Sequence, residues 1–283
     1  MVRQHATTVA SAARRAFDDN ITSIAAALAY SAFLAIPSVL LVAVGIFSLV
    51  ASASAIRTII GKLETVAPAE AARLLETSLT QIVDKRATTG IALVLVGSVF
   101  AIWSLTGFAQ TLMWGLNTVY RRDETRGFVE KRLLGLAIVA CAFVAFALLV
   151  GILILGPKLS VWVGDSIGAE TIVRWTWRLG QWPILIAGLL VVFATILRLA
   201  PNVEQPRWRI ISAGAAGAVL TWLVASAGFA FFVSQFGSYN KTWGSLAAVV
   251  ITLTWLWLGA LALLFGAEID AERQETRSDP TGR

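Results

Sequence analysis

Histidine and cysteine are almost absent from this 283-residue chain: His5 is its one histidine and Cys141 its one cysteine. A metal centre built on two or three histidines, or a triad that turns on a histidine inside the fold, is thereby excluded unless other residue types replace it. A single cysteine permits no internal disulfide, and since it sits in an apolar run it identifies no compartment. Charge is scarce as well. Asp, Glu, Lys and Arg make up 14% of residues, well below the ~25% usual for soluble domains, while apolar types reach 57% and mean hydropathy is +0.76. That balance excludes an ordinary soluble domain and points to an integral membrane protein. No phosphate-cradling glycine loop with its lysine is present, nor a serine or cysteine nucleophile beside a base, so an enzyme is not expected and no cofactor or catalytic residue is assigned. The net charge of +6 is ascribed to basic residues collecting in cytoplasmic loops, with no nucleic-acid partner.

What is present is a series of long apolar runs. Residues 1–23 are polar, with Arg3, Arg14 and Arg15. Val9, Ala13, Ala16 and Phe17 suggest a short helix lying along the membrane surface. This segment lacks a short apolar core ending at a cleavage site and is not read as a removed signal peptide. Six spans follow, at about 24–53, 89–116, 133–156, 182–197, 210–236 and 243–267, with a charged tail over 270–283. The fold class is all-α, a polytopic bundle of six transmembrane helices. Residues 54–88 add isoleucines and leucines at helical spacing, predicting short amphipathic helices in the first outer loop. Six spans put both termini on one side. The larger share of the 23 Lys and Arg falls on the termini and the second and fourth loops, so both termini are expected to be cytoplasmic.

Polar or structure-breaking residues within or at the ends of apolar spans are costly, so they are the candidates for a substrate path. They are Tyr30, Pro37, Asn117, Arg198, Asn202, Tyr239, Asn240, Lys241, Ser245 and Glu268. Pro37 removes a backbone hydrogen bond and crowds the carbonyl of Phe33, which predicts a kink in the first span. Arg198 and Glu268 fall at the same expected depth and could form an interhelical ion pair. Small residues recur at Gly214, Gly217 and Ala218 in the fifth span and at Gly259, Ala262 and Gly266 in the sixth. Such faces let helix backbones approach closely in lipid.

Four stretches, AAALAYSAFLAIPSVLL from Ala25, WSLTGFAQTLMWGLNTVYRRDETRGFVEKR from Trp103, LAPNVEQPRWR from Leu199 and FGSYNKTWGSLAAVVITLTWLWLGALALLFGAEIDAE from Phe236, resemble the YihY/BrkB family of bacterial membrane proteins, historically labelled ribonuclease BN-like. The resemblance covers residues 17–273. It implies six transmembrane helices in a bacterial inner membrane and an envelope-related role, with transport of a lipid-like or amphiphilic substrate. Envelope-biosynthesis partners would instead go with a scaffold. The family's positions carry over onto Tyr30, Pro37, Asn117, Tyr120, Pro201, Asn202, Tyr239, Asn240, Lys241, Gly244, Ser245, Gly266 and Glu268. The chain departs from the pattern at Trp243, where tyrosine is usual, at Ala247, where glycine is frequent, and at Asp270, where asparagine is commoner. From the residues, a transporter or flippase-like protein is expected first, with a non-transporting envelope scaffold as the alternative. RNA cleavage is less expected, because neither acid-base groups nor an exposed basic platform with aromatics is evident.

Overall fold

The computed structural model describes residues 11–50, 86–203, 212–235 and 245–278, and these are helical apart from short turns. Helix α1 covers residues 11–18. It is followed by α2 (Ile21–Val50), α3 (Arg86–Val119), α4 (Phe128–Ile167), α5 (Glu170–Leu199), α6 (Ala213–Gln235) and α7 (Ser245–Ser278). Each of α2 to α7 is long and apolar enough to cross a membrane. The chain is an all-α polytopic membrane protein. The amphipathic helices expected over 54–88 lie outside the described residues, except where α3 begins at Arg86.

The chain divides into two compact units, one of residues 1–31 and 106–283, the other of residues 32–105. In the smaller unit, Ser38 Oγ and Ser104 Oγ are 3.2 Å apart. A Cβ on Gly97 would meet the backbone of Leu41 and Val42 at 3.0–3.2 Å, so α2 and α3 approach closely there. Pro37 lies in this part of α2.

In the larger unit α4 and α5 form an antiparallel hairpin and α6 and α7 a second pair, with α5 also touching α6. The α4–α5 turn is tighter than the sequence suggests. The polar residues Lys158, Asp165, Glu170, Arg174 and Arg178 interrupt the apolar run, yet helix continues through them to Ile167 and resumes at Glu170. Gly168 supplies the left-handed turn at φ 68, and the Ala169 N–H donates to the Gly164 carbonyl at 2.9 Å. The fourth span thus belongs to a helix of 30 residues rather than the short one of sixteen expected.

The α6–α7 pair rests on the small-residue faces. A Cβ on Gly214 would run into the Gly266 carbonyl oxygen, and one on Gly266 into Ala218. Gly214, Ala215, Ala218 and Val219 are the buried face of α6. In lipid the apolar surround gives no hydrophobic drive toward a neighbouring helix, so this backbone approach and its dispersion contacts hold the pair. The core of the unit gathers Ile24 and Leu28 of α2, Leu112 and Leu116 of α3, Leu197 of α5 and Leu264 of α7. Phe143, Phe146, Leu148, Leu220 and Phe231 are exposed outward on their helices, as lipid-facing side chains are.

Candidate functional site at the terminal end of the bundle

The last turn of α3 and the segments after α3 and α5 build one polar assembly. Asn117 is buried at 4% exposure in the last turn of α3. Its amide donates to Glu124 Oε2 at 2.9 Å, and its Oδ1 accepts the backbone N–H of Asn202 at 2.7 Å. Asn202 in turn donates from Nδ2 to the Asp123 carbonyl at 2.9 Å and to Thr125 Oγ1 at 2.8 Å. Arg126 closes the assembly. It donates from Nε to Glu124 Oε1 at 2.8 Å and from Nη2 to Glu124 Oε2 at 2.9 Å and the Ala200 carbonyl at 2.8 Å. Burial alone would raise the Glu124 carboxyl, but its bonds with Arg126 and Asn117 outweigh this and hold it below its ordinary value. The polar side chains are therefore spent on joining the α3–α4 connection to the end of α5.

A second cluster surrounds Glu268, whose side chain is fully buried near the end of α7. Arg15 Nε of α1 lies 3.6 Å from its Oε2, and the Asp19 carboxylate faces it from the turn after α1. Arg15 also grips Glu275 at 2.6 and 3.1 Å and Glu272 at 3.0 Å. Burial acts to lower the guanidinium, yet these carboxylates raise it overall. Asp19 is approached from its other side by Arg121, at 3.9 Å. Tyr120 is buried beside the cluster, and burial first, then the charges of Asp270 and Glu268, push its phenol up. The ion pair expected between Arg198 and Glu268 is not the one formed: Arg15 takes that place. Arg198 ends α5 at the expected end of the bundle, but shared depth does not fix which way a side chain turns around its helix, and α1 reaches Glu268 from another side.

Helix α1 itself presents Ala12, fully buried, and Arg15 to the protein, while Phe17 is 83% exposed. Its inward face is thus partly ionic, which an apolar spacing rule does not detect. Asp270, two residues beyond Glu268 on α7, accepts the Gly214 N–H at 2.7 Å and so caps α6 from a different helix. Asparagine, the commoner residue there, carries the same acceptor oxygen, so the substitution preserves this bond.

Beside the Asn117 assembly lies an open groove of about 690 Å³, lined among others by Gln110, Met113, Trp114, Arg122, Asp123 and Lys131. Asn117 and Glu124 form part of its wall. Its size is within the range of small-molecule sites.

Of the sequence candidates, Asn117 and Asn202 are brought together and Glu268 sits in the neighbouring cluster. Tyr30 is 61% exposed and joins neither. Tyr239, Asn240 and Lys241 lie outside the described residues, as does the side chain of Ser245. Sequence reasoning passed over Arg15, Asp19, Glu124 and Arg126 as site residues. Their only signal was charge in short segments flanking spans.

Six apolar helices with buried polar groups at their ends define a multi-pass α-helical membrane protein. The family described as Virulence factor BrkB matches residues 12–283, and the chain belongs to that family. It is 28% identical over 215 residues to the ribonuclease-like protein YfkH of Bacillus subtilis, covering 75% of this chain and 76% of that one. It is 25% identical over 286 residues to a UPF0761 membrane protein of Nitrosospira multiformis, covering 95% of this chain and 62% of the relative. A UPF0761 membrane protein of Ralstonia nicotianae is 26% identical over 268 residues, covering 92% of this chain and 57% of the relative. The chain therefore spans less than two thirds of the length of these two UPF0761 relatives. No solved structure matches it.

Proposed function

We propose that the protein is a transporter or flippase-like protein for a lipid or amphiphilic envelope substrate, with no catalytic step of its own. It would act in a bacterial inner membrane with both termini in the cytoplasm. The observation that carries this reading is the groove at the end of α3. Met113 and Trp114 form its apolar part, at a helix whose apolar stretch ends at Val119, and Arg121, Arg122, Asp123 and Lys131 form its charged part. A site apolar on one side and ionic on the other, at the boundary where a span meets water, suits a molecule with a tail and a polar head.

The test is reconstitution of purified protein into liposomes carrying a fluorescent lipid, with chemical quenching of the outer leaflet. Lipid should cross faster than in empty vesicles. Trp114→Ala and Glu268→Gln should slow it. Equal rates with and without protein, for lipids of several headgroups, would defeat the transport reading. Reporter fusions at either terminus check the orientation: activity of a periplasm-dependent reporter at either end would reverse it.

A further inference from the structure

Which head the groove takes can be read from the charges left over once the described ion pairs are assigned. Glu124 is committed to Arg126 and Asn117, and Arg121 lies against Asp19. Among the described residues, Arg122, Asp123 and Lys131 take part in no ion pair. The groove thus offers two cations and one carboxylate beside an indole face. Asp123 is fixed in place through its own carbonyl, which accepts from Asn202 Nδ2 at 2.9 Å. Lys131 is in the first turn of α4, its N–H donating to the Gly127 carbonyl at 3.0 Å. Both charges are therefore anchored to rigid backbone, although neither is neutralised there.

We infer that the groove binds the zwitterionic headgroup of an aminophospholipid. Its phosphodiester would be held by Arg122 and Lys131 and its ammonium by Asp123 with the Trp114 ring. A guanidinium presents paired donors that suit phosphate oxygens, and lysine adds a point charge. An ammonium is attracted both by a carboxylate and by an indole face. A purely anionic lipid such as phosphatidylglycerol would satisfy the two cations but place its uncharged glycerol against Asp123, leaving that carboxylate without a counter-ion. Preference for the zwitterion follows from this one group. The inference rests on the transport reading only for why such a lipid would enter; the binding itself stands separately.

The experiment is native mass spectrometry of the full chain extracted from vesicles of equimolar phosphatidylethanolamine and phosphatidylglycerol. The wild type should retain phosphatidylethanolamine preferentially. Asp123→Asn should abolish the preference while keeping phosphatidylglycerol bound. Arg122→Gln with Lys131→Gln should cut retention of both lipids about tenfold or more, as loss of charge-assisted bonds implies. Arg122→Lys with Lys131→Arg keeps both charges and should keep retention, which separates the charge effect from misfolding. Water-soluble glycerophosphoethanolamine should compete poorly, since it lacks the tails that bring the head to the groove. An unchanged preference in Asp123→Asn, unchanged retention in the double glutamine variant, or full competition by the soluble head would overturn the inference. Selective retention without lipid crossing would spare this site and sink the transport reading; crossing without selective retention would do the reverse.

Discussion

Removing the Asn117 side chain by Asn117→Ala breaks the assembly at its centre, and the loss can be worked from its bonds. The amide donates to the charged Glu124 at 2.9 Å and accepts the Asn202 N–H at 2.7 Å. A bond to a charged group contributes about 1.5–3 kcal/mol and a neutral one about 1 kcal/mol, so the variant should lose about 3 kcal/mol of stability. The assay is the unfolding equilibrium of the purified protein in mixed micelles, followed by circular dichroism and tryptophan fluorescence. Asn117→Asp separates the two bonds. It keeps the acceptor for Asn202 but sets a carboxylate against Glu124, so it should be no better than alanine. Combining Asn117→Ala with Glu124→Ala should cost less than the separate losses added, because the two side chains share a bond. An alanine variant within about 0.5 kcal/mol of wild type, the range of uninvolved surface changes, would refute this account of the site.

Further expectations follow from the neighbouring contacts. Asp270→Ala should cost about 1 kcal/mol through loss of the α6 cap, while Asp270→Asn should leave stability nearly unchanged in the same unfolding assay. Arg15→Ala leaves Glu268 buried without its nearest cation and should cost about 3 kcal/mol; adding Glu268→Gln should recover much of that loss. Gly266→Val should separate α6 from α7, read as loss of a disulfide between cysteines engineered across the pair that the wild-type background forms. Because Glu124 is held below its ordinary value of 4.5, its contribution is complete above pH 4.5. It disappears as pH falls through the lower folded value. Glu124→Gln should flatten that acid limb of the stability profile, and an unchanged limb would show that other carboxylates produce it.

The spans were legible because each is a long apolar run, and the small-residue faces of α6 and α7 were legible because Gly214, Ala218 and Gly266 recur at helical spacing. The helix ends were not. Lys158, Asp165, Glu170 and Arg174 look like a water-exposed loop, whereas they occupy the ends of α4 and α5 beyond the ~30 Å of hydrocarbon that a span must cross, where charge costs little. Asn117, Asn202 and Glu268 stood out since a polar side chain near hydrocarbon needs a partner. Naming the partner was beyond sequence. Asn202 meets Asn117 across 85 positions and Arg126 meets Ala200 across 74, and nothing local records such pairings. The Arg198–Glu268 expectation shows the limit: it placed both residues at one end of the bundle and missed the direction around each helix.

Arg126 reaches the carbonyl oxygens of Leu199 and Ala200 at 3.5 and 2.8 Å, so the connection after one helix finishes another. Sliding α5 along its axis by a single turn would strip those bonds together with the three Asn202 contacts. A small tilt of the α4–α5 hairpin about that point would strip none of them. The clamp therefore fixes the axial register of α5 against the α3–α4 connection while constraining its tilt far less.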